Sequence, residues 1–210
     1  MSESSTVDAL ASALRTRILD GELTGGTRLV ERELGETYPA ARHTLRAALR
    51  ALAAEGLIVL IPNAGASVAS LGPEDAVGLF ELRTALEVEA CRLALARDPG
   101  GLQGALRAAA VELRSVCEAP EPAWSAVTEA HAAVHRALVD AADSPRLAAA
   151  YATLEGEMRL FLTALRPDWS LVRMADHHDA LPEALSKAGV GALREHLADG
   201  AATVLGRRGY

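Results

Sequence analysis

The 210-residue chain is poor in aromatic side chains, 3% of its residues, which leaves few rings on which single-stranded nucleic acid would stack. It has two cysteines, Cys91 and Cys117, in no CxxC arrangement, so they are expected to be reduced structural thiols of a cytoplasmic protein. No apolar run approaches the length of a membrane span, and the N-terminal MSESSTVDAL has neither a basic region nor an apolar core; membrane insertion and secretion are not expected. Positive charge is in deficit, with 21 bases against 28 acids for a net charge of −7, which disfavours diffuse binding to polyanions. There is no HExxH, no nucleophile elbow and no internal repeat. What remains is a sequence rich in alanine and leucine and half apolar, ample for a core and of a length for one or two domains.

Residues 28–57 carry the first functional signal. Leu29 and Leu34 flank a short helical segment, and Leu45, Leu49 and Leu52 recur at steps of four and three beside Ala48, predicting a second helix with one apolar stripe. Arg42, Arg46 and Arg50 recur every four residues on another face, with His43 and Thr44 next to the first and no acid between Arg42 and Arg50. Such an edge suits phosphate contacts and bidentate contacts to guanine, although a solvated arginine face has the same pattern. Gly56 reads as a helix C-cap. LIVLIP and SVASL follow, two β-leaning runs parted by Asn63-Ala64-Gly65-Ala66, which read as a hairpin. Helix, turn, cationic helix and hairpin together predict a winged helix-turn-helix over residues 1–70.

From Pro73 onward the pattern is helical. Breaks at Asp98–Gly101, Pro120–Pro122, Asp143–Pro145, Arg166–Asp168 and Gly189–Gly191 divide residues 73–208 into about six helices. The fold class expected is therefore mainly α, a winged helix-turn-helix followed by an all-α antiparallel helical bundle. Among the bundle's histidines, His131 and His135 are four apart, so their rings share a helix face and can chelate one ion. Read singly, a histidine is more often a surface or satisfied core residue.

The chain resembles the GntR superfamily of bacterial regulators, in particular the FadR-type branch with a C-terminal FCD effector domain. Leu14, Arg15, Ile18, Leu29, Glu31 and Leu34 match the first part of the family pattern, and Arg42, Arg46, Ala48, Leu49, Glu55 and Gly56 the second. Glu81–Ala94, His131–Leu147 and the segments HHDALPEAL and LREHLADG match the FCD domain. The resemblance implies a homodimeric regulator, expected to be a repressor, bound to a double-stranded DNA operator. It implies DNA contacts from Arg32, Arg42 and Arg46, with His43 and Thr44 beside them and Gly65 at the wing tip. Two positions depart from the family: Ala41 replaces the serine before the first recognition arginine, and Pro39-Ala40 replaces the small turn.

The resemblance also places a metal at His131, His135, His178 and His196. The first of these positions is aspartate in the family, and an all-imidazole set favours Zn²⁺, with Ni²⁺ or Co²⁺ as alternatives, over Mn²⁺. The His178–His196 interval is about four residues short of the family spacing, which would displace His196 by about 5.4 Å along its helix. His177, Asp176 and Asp179 are near enough in sequence to exchange roles with His178. In the family a small organic acid completes the coordination sphere and pairs with an arginine of the first bundle helix. Arg83 is the matching effector residue, with an ordinary ion pair as its alternative role, and Arg159 and Arg166 are weaker candidates. A metal-dependent hydrolase or lyase built on the histidines is the rival function; it lacks a general base and leaves residues 1–70 unexplained. The charge objection is answered by distribution, since residues 1–62 hold seven arginines against eight acids and most of the deficit lies beyond them.

Overall fold

The computed structural model describes residues 3–62, 65–164 and 170–206. The N-terminal part runs α1 (Glu3–Leu19), β1 (Arg28–Leu29), α2 (Glu31–Thr37), α3 (Arg42–Ala54), β2 (Ile58–Ile61) and β3 (Gly65–Val68). The three strands form one antiparallel sheet in the order β1-β3-β2, so the expected β2–β3 hairpin is present with Ile61 opposite Gly65. The strand β1, which pairs Leu29 with Ala66, has no signature in the sequence. Two residues are too few to display a period-2 pattern, and only pairing reveals them.

Helix α3 buries Leu45, Ala48, Leu49 and Leu52, the stripe predicted from their spacing, against Leu10, Leu14 and Ile18 of α1. Its end is set by Gly56 at φ 77, with the Leu57 N–H donating to the Leu52 carbonyl at 3.0 Å, the six-to-one bond of a Schellman motif. Arg15 of α1 clasps Glu55 through two nitrogens at 2.7 and 2.5 Å and ties the first helix to the end of the third.

After a short link, α4 (Pro73–Arg97), α5 (Pro99–Cys117), α6 (Trp124–Asp140), α7 (Pro145–Ala152), α8 (Glu155–Ala164), α9 (Leu171–Ala188) and α10 (Val190–Gly206) make the bundle. Among the described residues these are seven helices where the sequence predicts about six. The unforeseen break separates α7 from α8 at Thr153 and Leu154, which carry neither glycine nor proline. The break expected at Arg166–Asp168 lies outside the described residues. Cys91 and Cys117 are both buried and free, and burial pushes the Cys91 thiol up to about 11. No helix among the described residues is long and apolar enough to cross a membrane.

The buried apolar side chains gather in two clusters, one from residues 10–68 and one from residues 76–197, but Leu160 of α8 belongs to the first. Polar links cross the same boundary. Asp20, just beyond α1, accepts a hydrogen bond at 2.7 Å from the N–H of Ser125 in the first turn of α6, whose own N-cap, Ala123, offers no side-chain bond. The Thr163 hydroxyl of α8 donates to the Leu19 carbonyl at 3.3 Å. Gly156 of α8 lies against the backbone of Glu55, where any Cβ would collide with the Glu55 carbonyl oxygen. Of the helices that carry the histidines, α6 therefore touches the N-terminal part directly, and α8 does so beside it.

Candidate functional site

The first candidate surface lies between α2, α3 and the sheet. Arg32, Arg42, His43 and Arg46 are exposed, and Arg32, Arg42, Arg46 and Gly65 line a common hollow of about 570 Å³. Glu31 organises it: its carboxylate accepts from Arg42 Nε at 3.0 Å and Arg46 Nε at 2.8 Å, and these hydrogen bonds, Arg46's first, hold its pKa below the usual value. The two guanidinium groups are thus fixed side by side without DNA, and an incoming phosphate or guanine must compete with one carboxylate. Thr44 points the other way. It lies four residues before Ala48, on the apolar stripe, and is buried at 5% exposure, so it is not on the surface with its neighbours. Gly65 has a structural reason to be glycine: its φ is 90, and a Cβ there would come within 2.7 Å of the Leu29 carbonyl oxygen.

Ala41 is the N-cap of α3 and gives no side-chain hydrogen bond. The first amides of the recognition helix are left for solvent or for a phosphate. Replacing Ala41 with serine is expected to stabilise the protein by about 1 kcal/mol through a restored cap, measured as a raised thermal midpoint.

The second site is built where α4, α6, α7, α9 and α10 meet. His131, His135, His178 and His196 are all buried and stand together: the His131 ring lies 4.9 Å from His135 and 4.7 Å from His178, and the His196 ring lies 4.8 Å from His178 and 5.4 Å from His135. The displacement expected for His196 from its short interval does not take it out of the cluster. Burial depresses every one of these pKa values, that of His178 to about 4, so the rings are neutral near pH 7 and their lone pairs are free to coordinate.

The tautomers can be assigned from the partners. His135 Nδ1 is 2.9 Å from Glu87 Oε2, and His178 Nδ1 is 2.7 Å from the Met174 carbonyl; both partners only accept, so each Nδ1 carries the hydrogen. Each Nε2 is then a bare acceptor, yet the two face each other at 3.2 Å. Two lone pairs at that distance repel unless a cation lies between or beside them. The donor chemistry fits a divalent transition metal, and the carboxylate behind His135 is the outer partner such ligands use.

Glu87 is the centre of a buried polar network. It receives Arg83 Nε at 2.6 Å and the Tyr151 hydroxyl at 3.0 Å on the oxygen that does not bond His135. Arg83, expected as the effector residue, lines one small cavity with His131 and His135, and its charge is matched by Glu87 of its own helix. Neither Glu87 nor Tyr151 was singled out from sequence, although the i,i+4 spacing of Arg83 and Glu87 within a matched family segment was a usable signal. Arg159 is also buried, pairs with Glu129 at 2.8 Å and Glu155 at 3.2 Å, and leaves its Nε without a partner among the described residues. Arg166 lies outside the described residues.

Comparison with known proteins now decides the family. The pattern described as the bacterial regulatory proteins of the gntR family matches residues 6–68, and the FCD domain pattern matches residues 78–202. The chain belongs to the FCD-containing branch of the GntR family. These are families of transcription regulators rather than of enzymes, which removes the support for the hydrolase or lyase reading. A curated relative, an HTH-type transcriptional regulator designated BphR from Paraburkholderia xenovorans (strain LB400), is 34% identical over 88 residues; the match spans 42% of this chain and 36% of that protein. A solved GntR regulator from Rhodococcus sp. RHA1 superposes with a TM-score of 0.77 at 26% identity, covering 98% of this chain and 99% of its own. The fold is also that of McbR/YncC from E. coli, at a TM-score of 0.76 and 18% identity over 97% of this chain and 98% of the other. The arginine hollow lies within the stretch matched to the gntR family, and the histidine cluster lies within the stretch matched to the FCD domain.

Proposed function

We propose that this protein is a DNA-binding transcription repressor that acts as a homodimer and is controlled by a small organic acid bound beside a divalent transition metal. The observation that carries the DNA half is the pair Arg42 and Arg46, exposed, aligned by Glu31 and bordered by the wing at Gly65. A focused edge of this kind is compatible with an acidic protein, because specific binding needs a local cluster rather than net positive charge. Replacing Arg46 with alanine is expected to weaken binding to DNA from upstream of the protein's own gene by about tenfold or more, since one good base contact is worth about 1–3 kcal/mol. A fluorescence anisotropy titration at fixed salt checks this, and equal binding by native and variant proteins would sink the assignment.

His131, His135, His178 and His196 would hold the metal, with Zn²⁺ favoured and Ni²⁺ or Co²⁺ acceptable to the same nitrogens. When bound, the ion supplies positive charge that an organic carboxylate can neutralise. The residues themselves argue for an anionic effector: the four imidazoles are neutral and the two carboxylates nearby are already matched, Glu87 by Arg83 and Glu155 by Arg136 and Arg159. Beside the cluster, Arg83, His131, His135, Tyr151, Glu155 and Arg159 bound a cavity of only about 10 Å³. An acid lodged there between metal and arginine must push α7 and α8 outward. Arg83 remains the first arginine partner, and Arg159, with its unpartnered Nε, is the second.

That displacement has a direct route to the DNA-reading part. Helix α8 carries Leu160 in the N-terminal core and Thr163 bonded to Leu19, and α6 starts on the Asp20 cap. Moving α6 or α8 must disturb these contacts and therefore the pose of α1 and α3, so effector and operator would be coupled by one reciprocal free energy.

A further inference from the structure

The histidine cluster has more ligands than a single site needs. His131, His135 and His178 form one set of donors within 4.8 Å of one another, and His177, His178 and His196 form another, with His178 common to both. His177 played no part in the metal set above, and it differs from the other four in one respect. Its side chain is 38% exposed, whereas the rest are buried. Its ring lies parallel to that of His196 at 4.0 Å.

The surroundings of the two sets are unlike. His131 and His135 line a small hollow of about 10 Å³, too narrow for a hydrated ion to pass. On the side of α9 and α10, a cavity of about 590 Å³ opens to solvent and reaches Arg173, Asp176, His177, His178 and Asp199. Asp199 stands 3.9 Å from His177 Nε2 with its side chain 78% exposed, a carboxylate at the mouth that raises the local concentration of cations. Asp176 is paired with Arg114 at 2.6 Å, and Arg173 opposes this attraction, so Asp199 and the imidazoles themselves are what a metal meets first.

We infer that His177, His178 and His196 are an outer loading triad that takes a divalent metal from solvent and passes it to the buried set. The inference rests on the metal reading proposed above. His178 and His196 keep their hold while His177 is exchanged for His131 and His135, the incoming nitrogens displacing His177 and the remaining water. At His135 and His178 no proton has to move, because their Nδ1 atoms already carry the hydrogens and their Nε2 atoms are bare. His177 is a transient ligand, needed for the rate of filling and not for the affinity of the filled site.

Stripping the full-length protein with a chelator and mixing it with Co²⁺ in a stopped-flow instrument, followed by visible absorption, tests this. Native protein should fill in two phases and reach one equivalent. His177→Ala, with His177→Gln as a second variant at the same half-exposed position, should reach the same equivalent and final spectrum but about tenfold more slowly, the lower end of what losing an auxiliary partner costs a metal site. His131→Ala should keep the fast first phase and release Co²⁺ to a chelator faster than native protein. Equal uptake rates for native protein and both His177 variants would overturn the inference alone. Loss of Co²⁺ at equilibrium from the His177 variants, with unchanged circular dichroism, would overturn it too by making His177 a resident ligand. Absence of Co²⁺ uptake by native protein would overturn the metal reading and this inference together.

Discussion

Replacing Glu87 with alanine is expected to lower the stability of the metal-free protein by about 3–5 kcal/mol, the cost of stranding one member of a buried ion pair. Glu87 is fully buried, and three groups depend on it: Arg83 at 2.6 Å, the Tyr151 hydroxyl at 3.0 Å and His135 Nδ1 at 2.9 Å. Removing the carboxylate leaves a guanidinium at 4% exposure with no counter-charge and a tyrosine hydroxyl with no acceptor. For a chain of this size the thermal midpoint should fall by about 10 °C. The double replacement Arg83→Met with Glu87→Leu should recover most of that loss, because apolar side chains of similar volume substitute for a buried pair at little cost. A double variant as unstable as Glu87→Ala would mean that the loss comes from the Tyr151 hydroxyl and His135 Nδ1–H, which both variants leave without their acceptor, rather than from the stranded charge. The double variant should also bind metal about tenfold or more weakly than native protein, since His135 no longer has a carboxylate to hold its tautomer.

The second large effect is expected at His178. It is the one histidine shared by both donor sets, so His178→Ala damages the buried set and the outer triad at once, whereas changes at His131 or His177 each touch only one. The purified variant should carry no metal after gel filtration. Native protein in free metal at a thousand times its Kd should gain about 4 kcal/mol of stability by linkage, and His178→Ala should gain none. Thermal denaturation with and without Zn²⁺ reads both numbers. A midpoint in the variant that still climbs with Zn²⁺ as in native protein would remove His178 from the ligand set. The small size of the replacement also opens a void next to Met174, so the comparison that matters is the metal-dependent increment and not the starting midpoint.

Much of this architecture was legible in the sequence because it is carried by local periodicity. The leucines of α3, the Gly56 stop, the β2–β3 hairpin and the helix breaks at Asp98, Pro120, Ser144 and Gly189 depend on neighbours within a few residues, and each stands where the pattern put it. The i,i+4 spacing of His131 and His135 fixes their shared face for the same reason. Other features escaped because they depend on a distant partner. β1 exists through pairing with β3, and the break between α7 and α8 falls where Gly156 must fit against Glu55. Thr44 follows two exposed residues, Arg42 and His43, but helix geometry turns it onto the stripe of Ala48. A single residue, Gly189 at φ 58, parts α9 from α10, and across this turn the rings of His178 and His196 stand 4.8 Å apart.

The sequence by itself determined the family through its motifs, and spacing along the chain determined the fold class, the arginine edge of α3 and the shared face of His131 and His135; His178 and His196 were joined to that pair by the family resemblance. Only the tertiary structure decided what those groups face. It set Glu31 between Arg42 and Arg46, Glu87 between Arg83 and His135, two bare nitrogens against each other, and His177 at the mouth of the α9–α10 cavity. The physical reason is that charge matching, tautomer choice and access to solvent are properties of neighbours in space. Residues 48 and 43 positions apart, such as Glu87 with His135 and His135 with His178, become neighbours only when the helices have packed.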